Sequence, residues 1–263
     1  VKILIKLGGT LLDEAGKRRD LARQLAEVAK TVELVVVHGG GKQVTRFLEE
    51  RGVQSRFVGG LRVSDETVID AVVKVIGGSV NKQLVAAVCA AGQVAVGLSG
   101  VDGLLTTAGP VNADLQFVGR PRCSDGKLLD ILIAAGYLPV VACLAADAQG
   151  QIYNVNADQM AVSCALGWGA DKLLFLTDVP GVKDRSGHVL SELTPAEVSE
   201  LIQSGIAHGG MQAKLESAVW ALEGGIGEVL VAPGQEPDIC LRLLAGQATG
   251  TRLTAGQLQG QRA

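Results

Sequence analysis

Histidine occurs only three times in these 263 residues and cysteine five times, and neither falls into an HxxxH or CxxC spacing, which argues against a transition metal held by the protein. The cysteines (Cys89, Cys123, Cys143, Cys164, Cys240) are odd in number, widely spaced and set among apolar residues. They read as reduced core thiols of a cytoplasmic protein, not as a disulfide framework. Clustered positive charge is missing too. The 24 Lys and Arg residues are scattered, the net charge is −3, and the one short cluster, Lys17-Arg18-Arg19, is ringed by Asp13, Glu14 and Asp20. A general affinity for nucleic acid is therefore not expected. No apolar run approaches the roughly 18 residues of a membrane span, and the chain enters a strand at Val1-Lys2-Ile3-Leu4-Ile5 without a signal-peptide pattern. There is no Pro- or Ser-rich linker.

What is present suits a large core: 48% of residues are hydrophobic and 19% charged. Strands are expected at Lys2 to Leu7, Leu34 to Val37, Gln93 to Leu98, Leu138 to Ala142, Lys172 to Leu176 and Glu228 to Val231. Helices are expected at about Arg19 to Lys30, Gln43 to Glu50, Lys127 to Ala135, from Asn156, and at Pro195 to Gln203, Gln212 to Glu223 and Asp238 to Leu244. Asp65 to Ala91 reads as one long helix, or two broken at Gly77-Gly78, with Ser64 as N-cap and a wide apolar side whose default use is core packing and which could also serve a dimer interface. Short strands and hairpins fill Leu104 to Cys123, and Gly250 to Leu253 is a candidate edge strand. This alternation predicts an α/β fold, a three-layer αβα sandwich on a mainly parallel open sheet. Two lobes, 1–170 and 171–254, share that sheet, and a frayed tail follows over 255–263.

In such sheets ligands sit beyond the C-terminal strand ends. There the chain places two glycine turns, Gly8-Gly9 and His38-Gly39-Gly40-Gly41. Each is an anion cradle or simply a tight connection. Neither is a standard nucleotide fingerprint: GxxxxGKS/T fails at Val36 and Gln43, and GxGxxG fails at Val44. Lys6 lies between Ile5 and Leu7 in a strand, where an ammonium is costly unless paired or snorkelling to the strand end. Lys214 follows Gly209-Gly210 and is expected in the first turn of a helix, where the dipole disfavours a cation. In Asn154-Val155-Asn156-Ala157-Asp158-Gln159, Asn156 is the expected N-cap and Asp158 a dipole-favoured first-turn carboxylate. A phosphate between the two lysines would remove both objections, with Asp158 keeping them apart and aimed.

Further segments occur in order with these: Gly60-Leu61-Arg62-Val63-Ser64-Asp65, Val80-Asn81-Lys82, Gly97-Leu98-Ser99-Gly100-Val101-Asp102-Gly103, Thr177-Asp178-Val179-Pro180-Gly181-Val182 and Gly209-Gly210-Met211-Gln212-Ala213-Lys214. With Lys6-Leu7-Gly8-Gly9, the His38 turn and the Asn154 segment, the set resembles the amino-acid kinase family from Val1 to about Leu253. The resemblance implies that fold and ATP-dependent phosphorylation of the side-chain carboxylate of N-acetyl-L-glutamate in arginine biosynthesis. It implies that Lys6 and Lys214 stabilise the transferring phosphoryl group, that Asp158 organises them, and that the amides of Gly8, Gly9 and Gly40 cradle its oxygens. Gly41, Arg62 and Asn154 would hold the acyl substrate, Arg62 taking its α-carboxylate in the bidentate manner suited to a guanidinium. Asp178, Val179, Pro180, Gly181, Val182 and Lys183, with Ile206, Ala207 and His208, would seat the nucleotide. Magnesium would travel with ATP, bound by phosphates and water rather than by a protein metal site.

Two departures from the family pattern stand out. Gln212-Ala213 replaces an apolar residue and proline before Lys214, and Gln54-Ser55 replaces a frequent proline near the substrate loop. Arginine-inhibited members generally carry an extra N-terminal helix that links dimers into hexamers, so a chain starting at the first strand is expected to be an arginine-insensitive homodimer, joined through Asp65 to Ala91. Kinases of carrier-protein-linked aminoadipate or glutamate are the nearest alternative, and a non-catalytic nucleotide or amino-acid sensor on the same fold is a more distant one.

Overall fold

The structure, a computed structural model, describes residues 1–247 and 249–256. The expected tail falls outside the described residues from position 257 onward. In chain order the elements are β1 (Lys2–Leu7), α1 (Ala15–Val28), β2 (Glu33–His38), α2 (Gly41–Glu49), β3 (Phe57–Val58), β4 (Leu61–Arg62), α3 (Glu66–Val72), α4 (Asn81–Ala90) and β5 (Ala95–Ser99). The middle of the chain supplies β6 (Thr106–Pro110), β7 (Val118–Ser124), α5 (Lys127–Ala134), β8 (Leu138–Ala142), β9 (Leu144–Ala146), β10 (Ile152–Val155) and α6 (Ala157–Trp168). The last third contributes β11 (Lys172–Thr177), β12 (Glu192–Leu193), α7 (Pro195–Gln203), α8 (Gly209–Glu223), β13 (Glu228–Pro233), α9 (Ile239–Leu244) and β14 (Thr251–Leu253).

Eight strands form one sheet in the order β12-β14-β13-β11-β1-β2-β8-β5, parallel throughout except between β13 and β14. Helices cover both faces, α1, α4 and α9 on one and α5, α6 and α8 on the other. That cover explains the unbroken apolar runs: Val35, Val36 and Val37 of β2 and Leu173 and Leu174 of β11 are fully buried. β1 is central. It pairs with β2 on one side and β11 on the other, so its C-terminal end opens where the two halves of the chain meet. Because side chains alternate along a strand, neighbouring Leu7 and His38 leave one face of the sheet while Lys6 and Val37 leave the other.

The structure corrects several local expectations. β14 is not an edge: it lies between β13 and β12, because Glu192–Leu193 adds a short outer strand. Gly77-Gly78 does not break the long helix. The chain passes from α3 to α4 through a π-helical stretch, Val73–Val80, and Glu66–Ala90 runs continuously. Over its most apolar 18 residues this helix has a mean hydropathy of 1.3, long and apolar enough by length and composition to cross a membrane, although polar residues such as Lys74, Asn81 and Lys82 interrupt its apolar runs. Its Val72, Ile76, Leu84 and Val88 are buried against the sheet and neighbouring helices. The N-cap is Asp65, whose carboxylate accepts from Val68 N, not Ser64, which is buried and tied to the Arg62 carbonyl. The expected hairpins between Leu104 and Cys123 appear as β6 and β7, and β9 and β10 join them in a closed four-stranded unit.

Candidate active site

Three buried charges meet at the C-terminal end of β1. Lys6 Nζ lies 2.7 Å from Asp158 Oδ1, and Lys214 Nζ donates to Asp158 Oδ2 at 2.8 Å. Each of the three residues is only 8% exposed, so one strand and two helices deliver their charged ends to a common point. Asp158 reaches it because Asn156 caps α6, accepting from the Asp158 and Gln159 amides at 2.8 and 3.3 Å. Lys214 stands in the second turn of α8, not the first, since the helix begins at Gly209. The adverse dipole is correspondingly weaker there.

Burial by itself pushes the Asp158 carboxyl up, but the Lys6 and Lys214 ammonium groups outweigh it and hold the acid at about 2. Lys214 is lowered from the usual lysine range, first by burial and then by repulsion from Lys6, with Asp158 and Asp178 opposing. The Phe175 ring lies 5.1 Å from the same ammonium. Two cations against one anion leave the cluster with an uncompensated positive charge, which an incoming anion would balance.

The glycine turns border this cluster, and they divide. Gly8 N donates to Leu176 O at 2.9 Å, tying β1 to β11, so its amide is spent and is not available to a phosphoryl oxygen as the sequence suggested. The amides of Gly9, Gly40 and Gly41 have no protein acceptor among the described residues. Gln43, the expected start of a helix and the residue that breaks the nucleotide pattern, donates to Gly9 O at 3.0 Å and bridges the two turns.

Next to the Gly39 turn is a cavity of about 170 Å³ lined by Gly40, Gly41, Arg62, Asn154, Val72 and Cys143, among others. Arg62 sits on β4 of a two-stranded hairpin and is 8% exposed, not a surface arginine at a helix start. Its Nη2 donates to Gly41 O and Thr45 Oγ1, both at 2.8 Å, and its Nη1 bonds Ser55 Oγ. The Phe57 ring lies 4.7 Å from the guanidinium carbon. Burial lowers the Arg62 pKa from its ordinary value. Asn154 Nδ2 donates to Ser64 Oγ at 3.1 Å. Ser55, Thr45 and Ser64 were not recognised as parts of this site. Ser55 stands at a position already noted as departing from the family pattern and Ser64 lies in the quoted Gly60 to Asp65 segment, whereas Thr45 carries no such signal.

The expected nucleotide seat follows β11 and precedes α8. Asp178, Pro180, Lys183 and His208 are exposed there, and Val179 and Ile206 half-buried. Gly181, Val182 and Ala207 are buried, and Val182 N donates to Thr251 Oγ1 at 2.9 Å, so these three build the wall rather than the lining. No group of three or more His, Cys, Asp or Glu side chains suited to a metal occurs among the described residues.

Known proteins resemble this chain in sequence and in fold. The amino acid kinase family model matches residues 1–232. Acetylglutamate kinase of Solibacter usitatus is 55% identical over 96% of this chain and 99% of its own length, and that of Koribacter versatilis 42% identical over 97% and 99%. Among solved structures, N-acetylglutamate synthase of Neisseria gonorrhoeae, with coenzyme A and N-acetyl-glutamate, superposes with a TM-score of 0.87 at 26% identity; the match covers 97% of this chain and 60% of the synthase. Smu.665 of Streptococcus mutans gives 0.83 at 28% identity, covering 97% and 98%. Giardia carbamate kinase, at 18% identity, TM-score 0.71 and coverage of 97% and 98%, shares the fold.

Proposed function

The chain belongs to the amino acid kinase family, and from that premise we infer that it transfers the γ-phosphoryl group of ATP to the side-chain carboxylate of N-acetyl-L-glutamate. The product is N-acetyl-L-glutamyl 5-phosphate, an intermediate of arginine biosynthesis. The observation that carries this reading is the Lys6–Asp158–Lys214 cluster, set between free glycine amides and a cavity with its own guanidinium. Relatives named acetylglutamate kinase favour this substrate over others used within the family.

Phosphoryl transfer passes through a loose transition state, so positioning and charge stabilisation do most of the work. The attacking carboxylate is already ionised at neutral pH and needs no general base. Lys6 and Lys214 neutralise charge on the phosphoryl oxygens, and the amides of Gly9 and Gly40 donate to them. Asp158 keeps the two ammonium groups apart and directed. Arg62 takes the α-carboxylate of the acyl substrate, and the Gly41 amide and Asn154 orient its remaining polar groups. Asp178, Val179, Pro180, Lys183, Ile206 and His208 line the nucleotide seat, backed by Gly181, Val182 and Ala207. Both oxygens of Asp158 face lysines, so magnesium arriving with ATP would be held chiefly by nucleotide phosphates and water.

The lobe 1–170 thus serves the acyl substrate and the lobe 171–254 the nucleotide. A homodimer contact falls along Asp65 to Ala91, supported by the fact that only 39% of the most apolar window of that helix is buried within the chain. Light scattering that returns a monomer's mass at micromolar concentration would remove this contact. Cys143, Cys164 and Cys240 are buried as expected, whereas Cys89 and Cys123 are exposed and not core thiols; five free thiols fit a reducing, cytoplasmic setting.

The test is a hydroxylamine trap for acyl phosphate in the presence of ATP, comparing N-acetylglutamate, glutamate, aspartate and N-acetylaspartate. Hydroxamate from N-acetylglutamate is expected. Product from an unacetylated amino acid alone would overturn the substrate assignment.

A further inference from the structure

His38 ends β2 and is completely buried, on the sheet face opposite Lys6. Both of its ring nitrogens are engaged. Nδ1 lies 2.9 Å from Gly39 O and Nε2 lies 3.0 Å from Asn81 Nδ2. A carbonyl can only accept, so the proton is on Nδ1, and Nε2 must accept from the Asn81 amide. Asn81 is equally constrained. Its Nδ2 also donates to Val140 O at 2.9 Å, and its Oδ1 accepts from Lys82 Nζ at 3.2 Å. Turning the amide over would set oxygen against the Val140 oxygen and nitrogen against an ammonium. The whole chain from Lys82 to Gly39 therefore has one workable direction.

Its end point is the peptide unit between Gly39 and Gly40. That unit is planar and trans, so a carbonyl held toward the imidazole sends the Gly40 N–H the opposite way. The Gly40 amide has no acceptor among the described residues. Both sides of the unit are tightly packed: a Cβ on Gly39 would lie 3.1 Å from Ala157 Cβ, and one on Gly40 3.1 Å from Ile76 Cγ1. Two adjacent glycines also leave the unit almost free to rotate. A half-turn would exchange a donor for a carbonyl oxygen at the cleft, turning attraction for an anion into repulsion.

We propose that His38, its tautomer set by Asn81, is a positioning residue that locks the Gly39–Gly40 peptide with its N–H toward the cleft, and so fixes one oxyanion donor of the phosphoryl-transfer site. This rests on the kinase reading above, in which Gly40 is such a donor. Neither residue touches substrate. The neighbours of His38 are Leu7 on β1 and Ala142 on β8, with Cys143 N donating to its carbonyl, while Asn81 and Lys82 face it from α4. Lys82 is the charged group acting on it, and it favours the neutral ring.

Two substitutions separate positioning from packing. In His38→Asn the side-chain amide stands where Nδ1 stood and can still donate to Gly39 O, but the contact with Asn81 is lost. In His38→Gln the amide reaches the Nε2 position, keeping Asn81 and releasing Gly39. If the lock matters, His38→Asn keeps kcat within a few-fold of wild type even if its Tm falls. His38→Gln loses kcat tenfold or more with little change in KM for ATP and the smaller fall in Tm. Its crystal structure should show the Gly39 carbonyl rotated. A kcat order that follows the Tm order, or an unrotated peptide in His38→Gln, would overturn the positioning role. Wild-type hydroxamate formation, measured alongside, reports separately on the kinase reading.

Discussion

Asp158 is the residue on which the charged cluster turns, because each of its oxygens answers one lysine. Removing either lysine leaves a buried carboxylate with half its compensation and takes a cation from the phosphoryl site. Lys6→Ala and Lys214→Ala are each expected to raise the barrier by about 3 kcal/mol, the order of one lost oxyanion donor. Steady-state kcat at saturating substrates measures this, and wild-type turnover in either variant would remove that lysine from the mechanism. Lys214 also sets a pH limit. Its ammonium is needed charged while its pKa in the free enzyme lies below the usual range, so kcat/KM should decline on the alkaline side before an ordinary lysine would titrate. At Arg62 the expectation is different in kind. Arg62→Lys loses the planar fork that bonds Gly41 O and Thr45 Oγ1, and KM for the acyl substrate should rise with a smaller effect on kcat. An unchanged KM would contradict carboxylate capture.

At the level of elements, α6 is the piece that aims the site, and its cap is a single side chain. Asn156→Ala removes the acceptor of two first-turn amides and should cost about 1 kcal/mol of stability. Because Asp158 sits in the turn so capped, kcat should fall as well, and urea unfolding with parallel kinetics separates the two effects. The start of α6 could be read in advance, since Asn156 and Asp158 announce themselves through local chemistry. So could β1, β2, β8 and β11, whose apolar runs are long and bounded by turn residues. What escaped notice depended on distant partners. The Gly8 amide is consumed by Leu176 from β11, and β14 loses its edge to a two-residue strand too short to carry a pattern. Gly77-Gly78, the usual mark of a break, are absorbed by a π-helical stretch running beside Gly40, where Ile76 and Val80 come closest. The hairpin that buries Arg62 was likewise invisible: the two strands have two residues each.

For the molecule as a whole, the ionisable groups beneath the sheet's C-terminal edge predict an acid-stability profile. Burial, followed by Lys82, outweighs the Gly39 hydrogen bond and lowers His38 to about 4, whereas the unfolded chain takes up that proton near 6.5. The unfolded state thus binds more protons across that interval, and stability falls as pH drops through it. At about 1.4 kcal/mol per unit the loss approaches roughly 3 kcal/mol. Asp158, depressed to about 2, contributes stability that is present above the unfolded value near 3.9 and disappears as pH falls further. Urea midpoints at pH 7, 5.5 and 4.5 should decline in step, and a flat profile above pH 4.5 would contradict the buried neutral imidazole.

The position of β1 between β2 and β11 has one more consequence. A chain cut in the Gly169–Asp171 bend would leave Lys6 and Asp158 on one fragment and Lys214 on the other, with the break along the seam where Ile3 to Leu7 face Lys172 to Leu176. Neither fragment alone could turn over substrate. Co-expressed, the two should complement each other, because the seam is a run of parallel backbone hydrogen bonds that separate molecules can re-form.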